Sequence, residues 1–122
     1  MKRNPELIRN ILLKIEANPP AQPMPSLECA GHTPEEVLEH VMLLKDGGFI
    51  EAFVEGFEGP CFPAQFWIYR MPWVGQEFLA KARNDTLWKK VVAQAEEKGM
   101  PTSISIINSL LEAAAEKYVG IE

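Results

Sequence analysis

The chain holds two cysteines and two histidines, and Cys29-x-x-His32 has the spacing of a metal-ligand couple. With His40 and Cys61 these residues supply the four donors of a tetrahedral zinc site. Structural zinc sites pair two close couples, whereas His40 and Cys61 each stand alone, so no metal is expected. The thiols are read as half-buried and His40 as a polar or core residue. Catalysis would need a nucleophile beside a base, paired carboxylates or a phosphate cradle. The chain contains no G-x-S-x-G, no G-x-G-x-x-G and no P-loop. Glu35, Glu36 and Glu39 are neighbouring carboxylates, but a capping box and a solvated helix face account for them. No catalytic residue and no cofactor are expected, and the chain is read as not an enzyme.

Binding chemistry is better represented. Nucleic acid is held by clustered Lys and Arg that displace counterions from phosphates. The net charge of −5 is unevenly spread: residues 18 to 68 carry Lys45 against eight acids, and the basic groups lie on either side. Lys2, Arg3, Arg9 and Lys14 form one basic group, and Lys81, Arg83, Lys89 and Lys90 form another. These eight are the candidate contacts to the phosphates of double-stranded DNA. The acidic middle would repel phosphate, and no Lys or Arg occurs between Lys45 and Arg70. A protein partner is the other candidate, because Phe57, Phe62, Phe66 and Trp67 put more aromatic surface near a loop than a solvated tip needs.

The elements that must position these groups are marked by local signals. Asn4-Pro5-Glu6 starts a helix that carries the stripe Leu7, Ile8, Ile11, Leu12 and Ile15 and runs to about Ala17. Four prolines between Asn18 and Ser26 then impose an extended connector, with a short edge strand expected over Leu27 to Ala30. Thr33-Pro34-Glu35-Glu36 is a capping box with proline at the first helical position, and Gly47-Gly48 ends the second helix. Phe49 to Val54 and Phe66 to Met71 are β-rich runs around a Gly/Pro loop, a hairpin spanning about residues 49–71. Helical periodicity resumes from about Val74 and breaks at Asn84-Asp85-Thr86, where Asp85 is expected to cap a new helix. A last helix starts at Thr102 or Ser103, and its stripe from Ile104 to Tyr118 would pack on its own domain or on a second copy in a homodimer.

This order predicts an α+β fold, a winged-helix-like domain whose wing is the hairpin, with a helical C-terminal extension. All 122 residues are read as one domain, with residues 1–72 the core and 73–122 the extension. Only about ten residues around Ser26 to His32 remain for the helix that usually precedes the recognition helix. No run of about 18 apolar residues exists and no signal-peptide core follows the basic start, so no membrane contact and a cytoplasmic location are expected.

Three blocks carry a resemblance: Met1-Lys2-Arg3-Asn4-Pro5-Glu6-Leu7-Ile8-Arg9, Gly31 to His40 (GHTPEEVLEH), and Leu43-Leu44-Lys45-Asp46-Gly47-Gly48-Phe49-Ile50. With Trp73 to Leu79 and Arg83 to Trp88 they resemble domain-of-unknown-function family 2513. The resemblance implies a small bacterial or phage protein with a winged-helix-like fold, and it brings no activity, cofactor or catalytic residue. The Asn18 to Pro25 connector and the Phe57 to Gln65 loop depart from it. The function expected from the sequence is a small nucleic-acid-associated or regulatory module. The alternative is a protein-protein adaptor that uses the acidic second helix and the aromatic hairpin.

Overall fold

The opening helix α1 (Pro5–Ala17) starts where the Asn4 side chain accepts hydrogen bonds from the Glu6 and Leu7 amides at 3.0 and 3.3 Å. Its stripe Leu7, Ile8, Ile11, Leu12 and Ile15 is buried as the spacing requires. The computed structural model describes residues 2–55 and 65–119.

The second helix, α2 (Pro34–Asp46), is fixed at both ends by its own sequence. At the start, the Glu36 amide donates to Thr33 Oγ1 at 3.1 Å and the Thr33 amide donates back to Glu36 Oε1 at 2.9 Å. The Thr33 backbone N–H is the chief cause that holds the Glu36 carboxyl below its ordinary range, with nearby His32 a smaller one. A depressed carboxylate stabilises the fold at neutral pH, and that contribution fades as pH falls through its folded value. At the far end Gly48 takes φ +80°, the Phe49 amide returns to the Leu44 carbonyl at 2.9 Å, and the Gly48 amide returns to Lys45. This six-to-one closure leaves the chain pointing into β1 (Glu51–Glu55).

β1 pairs antiparallel with β2 (Gln65–Arg70), with Ala52 opposite Ile68, Phe53 opposite Trp67 and Val54 opposite Phe66. A bulge between Glu51 and Ala52 shifts the register at the base, so Glu51 meets Arg70. On the other side of β2, Met24 exchanges two 2.9 Å hydrogen bonds with Ile68. The strand-like pairing therefore falls on Met24 and not on Leu27 to Ala30. Pro23 and Pro25 leave Met24 as the one donor in that stretch, and a single bridge is all it can form.

Three helices follow: α3 (Trp73–Ala82), α4 (Asp85–Glu97) and α5 (Ile104–Val119). Asn84, not Asp85, caps α4: its side chain accepts from the Leu87 amide at 3.1 Å, and Asp85 becomes the first helical residue. Ser103 Oγ accepts from the Ile106 amide at the start of α5. Ile107 and Leu111 of α5 and Trp88, Val91 and Ala95 of α4 are buried in the same hydrophobic cluster as α1, α2 and β2, so the core crosses the 72/73 junction.

Among the described residues there are five helices and one two-stranded antiparallel sheet, an α+β fold of winged-helix-like arrangement. The usual middle helix is absent. Residues 26–29 are irregular and residues 30–32 turn, with Gly31 in the left-handed region and the His32 amide on the Cys29 carbonyl.

Candidate functional site

Arg9 cannot serve as a phosphate contact, because it is buried. Its Nε donates to the Ala82 carbonyl at 2.7 Å and its Nη2 to the Arg83 carbonyl at 3.2 Å, which satisfies two orphan carbonyls at the end of α3. Asp85 stands 3.3 Å from the same guanidinium, which lies over the Trp88 ring at 5.5 Å from its centre. Trp88 Nε1 in turn donates to Glu6. Arg9 is thus the hub that fastens α1 to the α3–α4 junction.

The other basic candidates divide into two sets. Arg83 pairs with Glu16, Lys81 with Glu112 at 3.4 Å, and Lys89 with Asp85 at 3.2 Å, while Arg3 donates to the Thr102 carbonyl. Lys2, Lys14 and Lys90 are exposed and make no ion pair or side-chain hydrogen bond among the described residues. Exposed pairs are worth less than about 1 kcal/mol, so Lys89 would exchange Asp85 for a phosphate at little cost. Arg83 and Lys81 are paired across the chain with Glu16 and Glu112, whereas Arg3 engages only its Nε.

The hairpin separates the aromatic candidates by face. Side chains alternate along a strand, and here Ala52, Val54, Phe66 and Ile68 turn inward. Phe66 is 9 % exposed and belongs to the core, which corrects its placement on a partner surface. Trp67 is half-buried and lies on the outer face, where its ring meets that of Phe53 at 6.0 Å between centres. Phe53 and Tyr69 are each about half exposed and complete an outer aromatic row that the sequence analysis missed. Glu51 and Glu55 share this face, with Glu51 bound to Arg70 at 3.0 Å. Phe57 and Phe62 lie outside the described residues. On α2, Glu35 and Asp46 are exposed and Glu39 is half-buried, so its solvent side is acidic.

The described metal-ligand candidates, Cys29, His32 and His40, are not assembled. His40 is 2 % exposed, and both ring nitrogens are engaged by backbone: Nδ1–H donates to the Glu36 carbonyl at 2.8 Å, and Nε2 accepts the Asn4 amide at 2.9 Å. Those two bonds fix the neutral Nδ1–H tautomer and tie the cap of α1 to α2. His32 instead faces Glu36 at 3.6 Å. Cys29 is a buried free thiol, and burial pushes its pKa up, with Lys14 acting in the opposite sense. Cys61 lies outside the described residues. Among the described residues no group of three or more His, Cys, Asp and Glu side chains gathers. His40→Leu keeps most of the volume but strands the Asn4 amide, and should lower unfolding free energy by about 1–3 kcal/mol in urea titration. An unchanged midpoint would mean that the tie does not hold the two helices.

The apolar stripe of α5 is largely used inside the chain, since Ile107 and Leu111 are fully buried against the core. No described helix is long and apolar enough to cross a membrane.

Comparison with known proteins supplies a family and no activity. No solved structure matches. A curated relative, an "Uncharacterized protein" of Haemophilus influenzae (strain ATCC 51907 / DSM 11121 / KW20 / Rd), is 34 % identical over 124 residues, covering 98 % of this chain and 100 % of the relative. The family model described as "Hypothetical protein (DUF2513)" matches residues 2–101, which take in the capped helices, the hairpin and the Arg9–Trp88 junction. The chain therefore belongs to the DUF2513 family.

Proposed function

We propose that the chain is a protein-interaction module that engages a basic partner surface through the outer face of its hairpin and the acidic side of α2. The carrying observation is the Phe53–Trp67 ring pair on the solvent side of the sheet, with Glu51 and Glu55 on the same face. Aromatic side chains offer large contact area with few torsions to immobilise, and they dominate binding energy where they are central to an interface. The surrounding carboxylates select a cationic partner and repel phosphate. Glu35, Glu39 and Asp46 on α2, which packs against β1, extend the same charge.

A second reading, contact with duplex DNA, is favoured by the winged-helix-like arrangement and by the exposed Lys2, Lys14 and Lys90. The two separate cleanly. Fluorescence anisotropy of a labelled random duplex at two salt concentrations should show no binding, for the wild type and for Lys89→Glu/Lys90→Glu alike. Affinity capture from host extract should retain a basic protein that is lost with Phe53→Ser/Trp67→Ser and with Glu35→Lys/Glu39→Lys. Micromolar duplex binding that weakens steeply with salt and is reduced by the Lys89/Lys90 change would replace the adaptor reading with the DNA one.

A further inference from the structure

A notch of about 100 Å³ opens where the start of α1, the end of α2, α3 and the start of α5 meet. Its walls are apolar, formed chiefly by Ile8, Leu43, Phe49, Phe78 and Ile104, and Arg3 is the one charged residue that lines it. Phe49 and Phe78 meet edge to face at 5.4 Å between ring centres, which gives the notch a stiff aromatic side. Arg3 is held there by its Nε, which donates to the Thr102 carbonyl at 2.8 Å. The two Nη groups make no hydrogen bond among the described residues. None of these residues belongs to the outer face of the hairpin.

We infer that this notch binds a short branched aliphatic carboxylate, with its tail between Phe49, Leu43 and Ile104 and its carboxylate on the Arg3 Nη groups. Size and charge both select that class. An apolar cavity of about 150 Å³ takes up benzene, so this space suits a tail of about four carbons and excludes a long acyl chain. A guanidinium already fixed through Nε presents its remaining N–H groups as a fork, and a carboxylate matches that fork with two parallel hydrogen bonds. Polar anions such as inorganic phosphate would satisfy Arg3 but leave the apolar walls unused. A ligand of so few atoms binds with a dissociation constant on the order of 1 mM.

The test is a two-dimensional NMR titration of the full chain with isovalerate and, in parallel, with isoamyl alcohol, which has the same branched tail and no charge. Isovalerate should give saturable shifts centred on Ile8, Leu43 and Ile104, and the alcohol should bind about tenfold more weakly. Arg3→Gln should bring the acid down to the level of the alcohol, and Ile104→Phe, which adds bulk to the wall, should abolish binding of both. Shifts that fail to saturate by about 50 mM would overturn the site. So would equal affinity for acid and alcohol in the wild type, or an advantage for the acid that survives Arg3→Gln. The titration is independent of the hairpin, so its failure leaves the adaptor reading untouched, and failure of that reading leaves the notch untouched.

Discussion

Trp88→Ala should lower the free energy of unfolding by about 4 kcal/mol, which for a chain of this length moves the thermal midpoint down by roughly 15 °C. Trp88 is 1 % exposed and stands between Phe78, whose ring it meets edge to face at 6.3 Å, and the Arg9 guanidinium. Truncation leaves a cavity at the point where α1, α3 and α4 join, and it leaves Glu6 without its indole donor. Arg9→Met should cost less, about 2 kcal/mol. The partners Glu6 and Asp85 have side chains more than half exposed and regain water, whereas the Ala82 carbonyl loses a buried charge-assisted donor. A double-mutant cycle should return a coupling of about 0.5–2 kcal/mol, the range of a partly desolvated cation–π contact. Calorimetric melts of the four proteins test this directly. If Arg9→Met melts with the wild type, Arg9 is not the structural hub assigned to it.

The same cluster shows what the sequence could and could not convey about function. Arg9 follows Ile8 and precedes Leu12 by three residues, so it borders the buried stripe of α1, and that position was the available sign that it turns inward. Its carbonyl partners lie more than seventy residues away at the end of α3, and no local pattern announces them. Charge counting alone therefore placed it beside Lys2 and Arg3 as a phosphate contact. The hairpin failed to declare its faces for a different reason. Phe66, Trp67, Ile68 and Tyr69 are apolar in succession, so the period of two that separates inside from outside is masked in β2. Parity becomes visible only through the partners: Met24 claims Ile68 from one side, and Ala52 and Val54 set the inward positions from the other.

Helix boundaries were legible because capping is local. Asn4-Pro5, Thr33-x-x-Glu36 and Gly47-Gly48 each act within about one turn, and each ends or begins a helix where the sequence places it. The Asn84/Asp85 exchange is a shift of one residue between two side chains that both make good caps. Whether a middle helix is present is left open by the sequence, which shows only a shortage of residues between the proline connector and Thr33. What occupies its place, a turn closed by Gly31, follows from the same shortage. Long-range contacts were not legible, and one of them governs the docking of α3.

That contact is at Gly75, and Gly75→Ala should destabilise the protein by about 3 kcal/mol even though alanine is the better helix former. Helix propensity alone predicts the opposite sign, a gain of up to about 1 kcal/mol within α3. Space decides otherwise. A Cβ on Gly75 would overlap the Phe49 carbonyl oxygen and stand 2.6 Å from Met71 Cγ. The methionine can swing away, but the carbonyl is main chain, fixed between the closure of α2 and the first residue of β1. Relief requires α3 to lift from the α2–β1 junction, and lifting separates Phe78 from Phe49 and opens the apolar notch beside them. Urea titration of Gly75→Ala, with Ala80→Gly on the exposed side of the same helix as the control, measures the sign. The expected result is a lower midpoint for both, about 3 kcal/mol for Gly75→Ala from the clash and about 1 kcal/mol for Ala80→Gly from propensity. A midpoint for Gly75→Ala at or above the wild type would show that α3 does not rest on the Phe49 carbonyl.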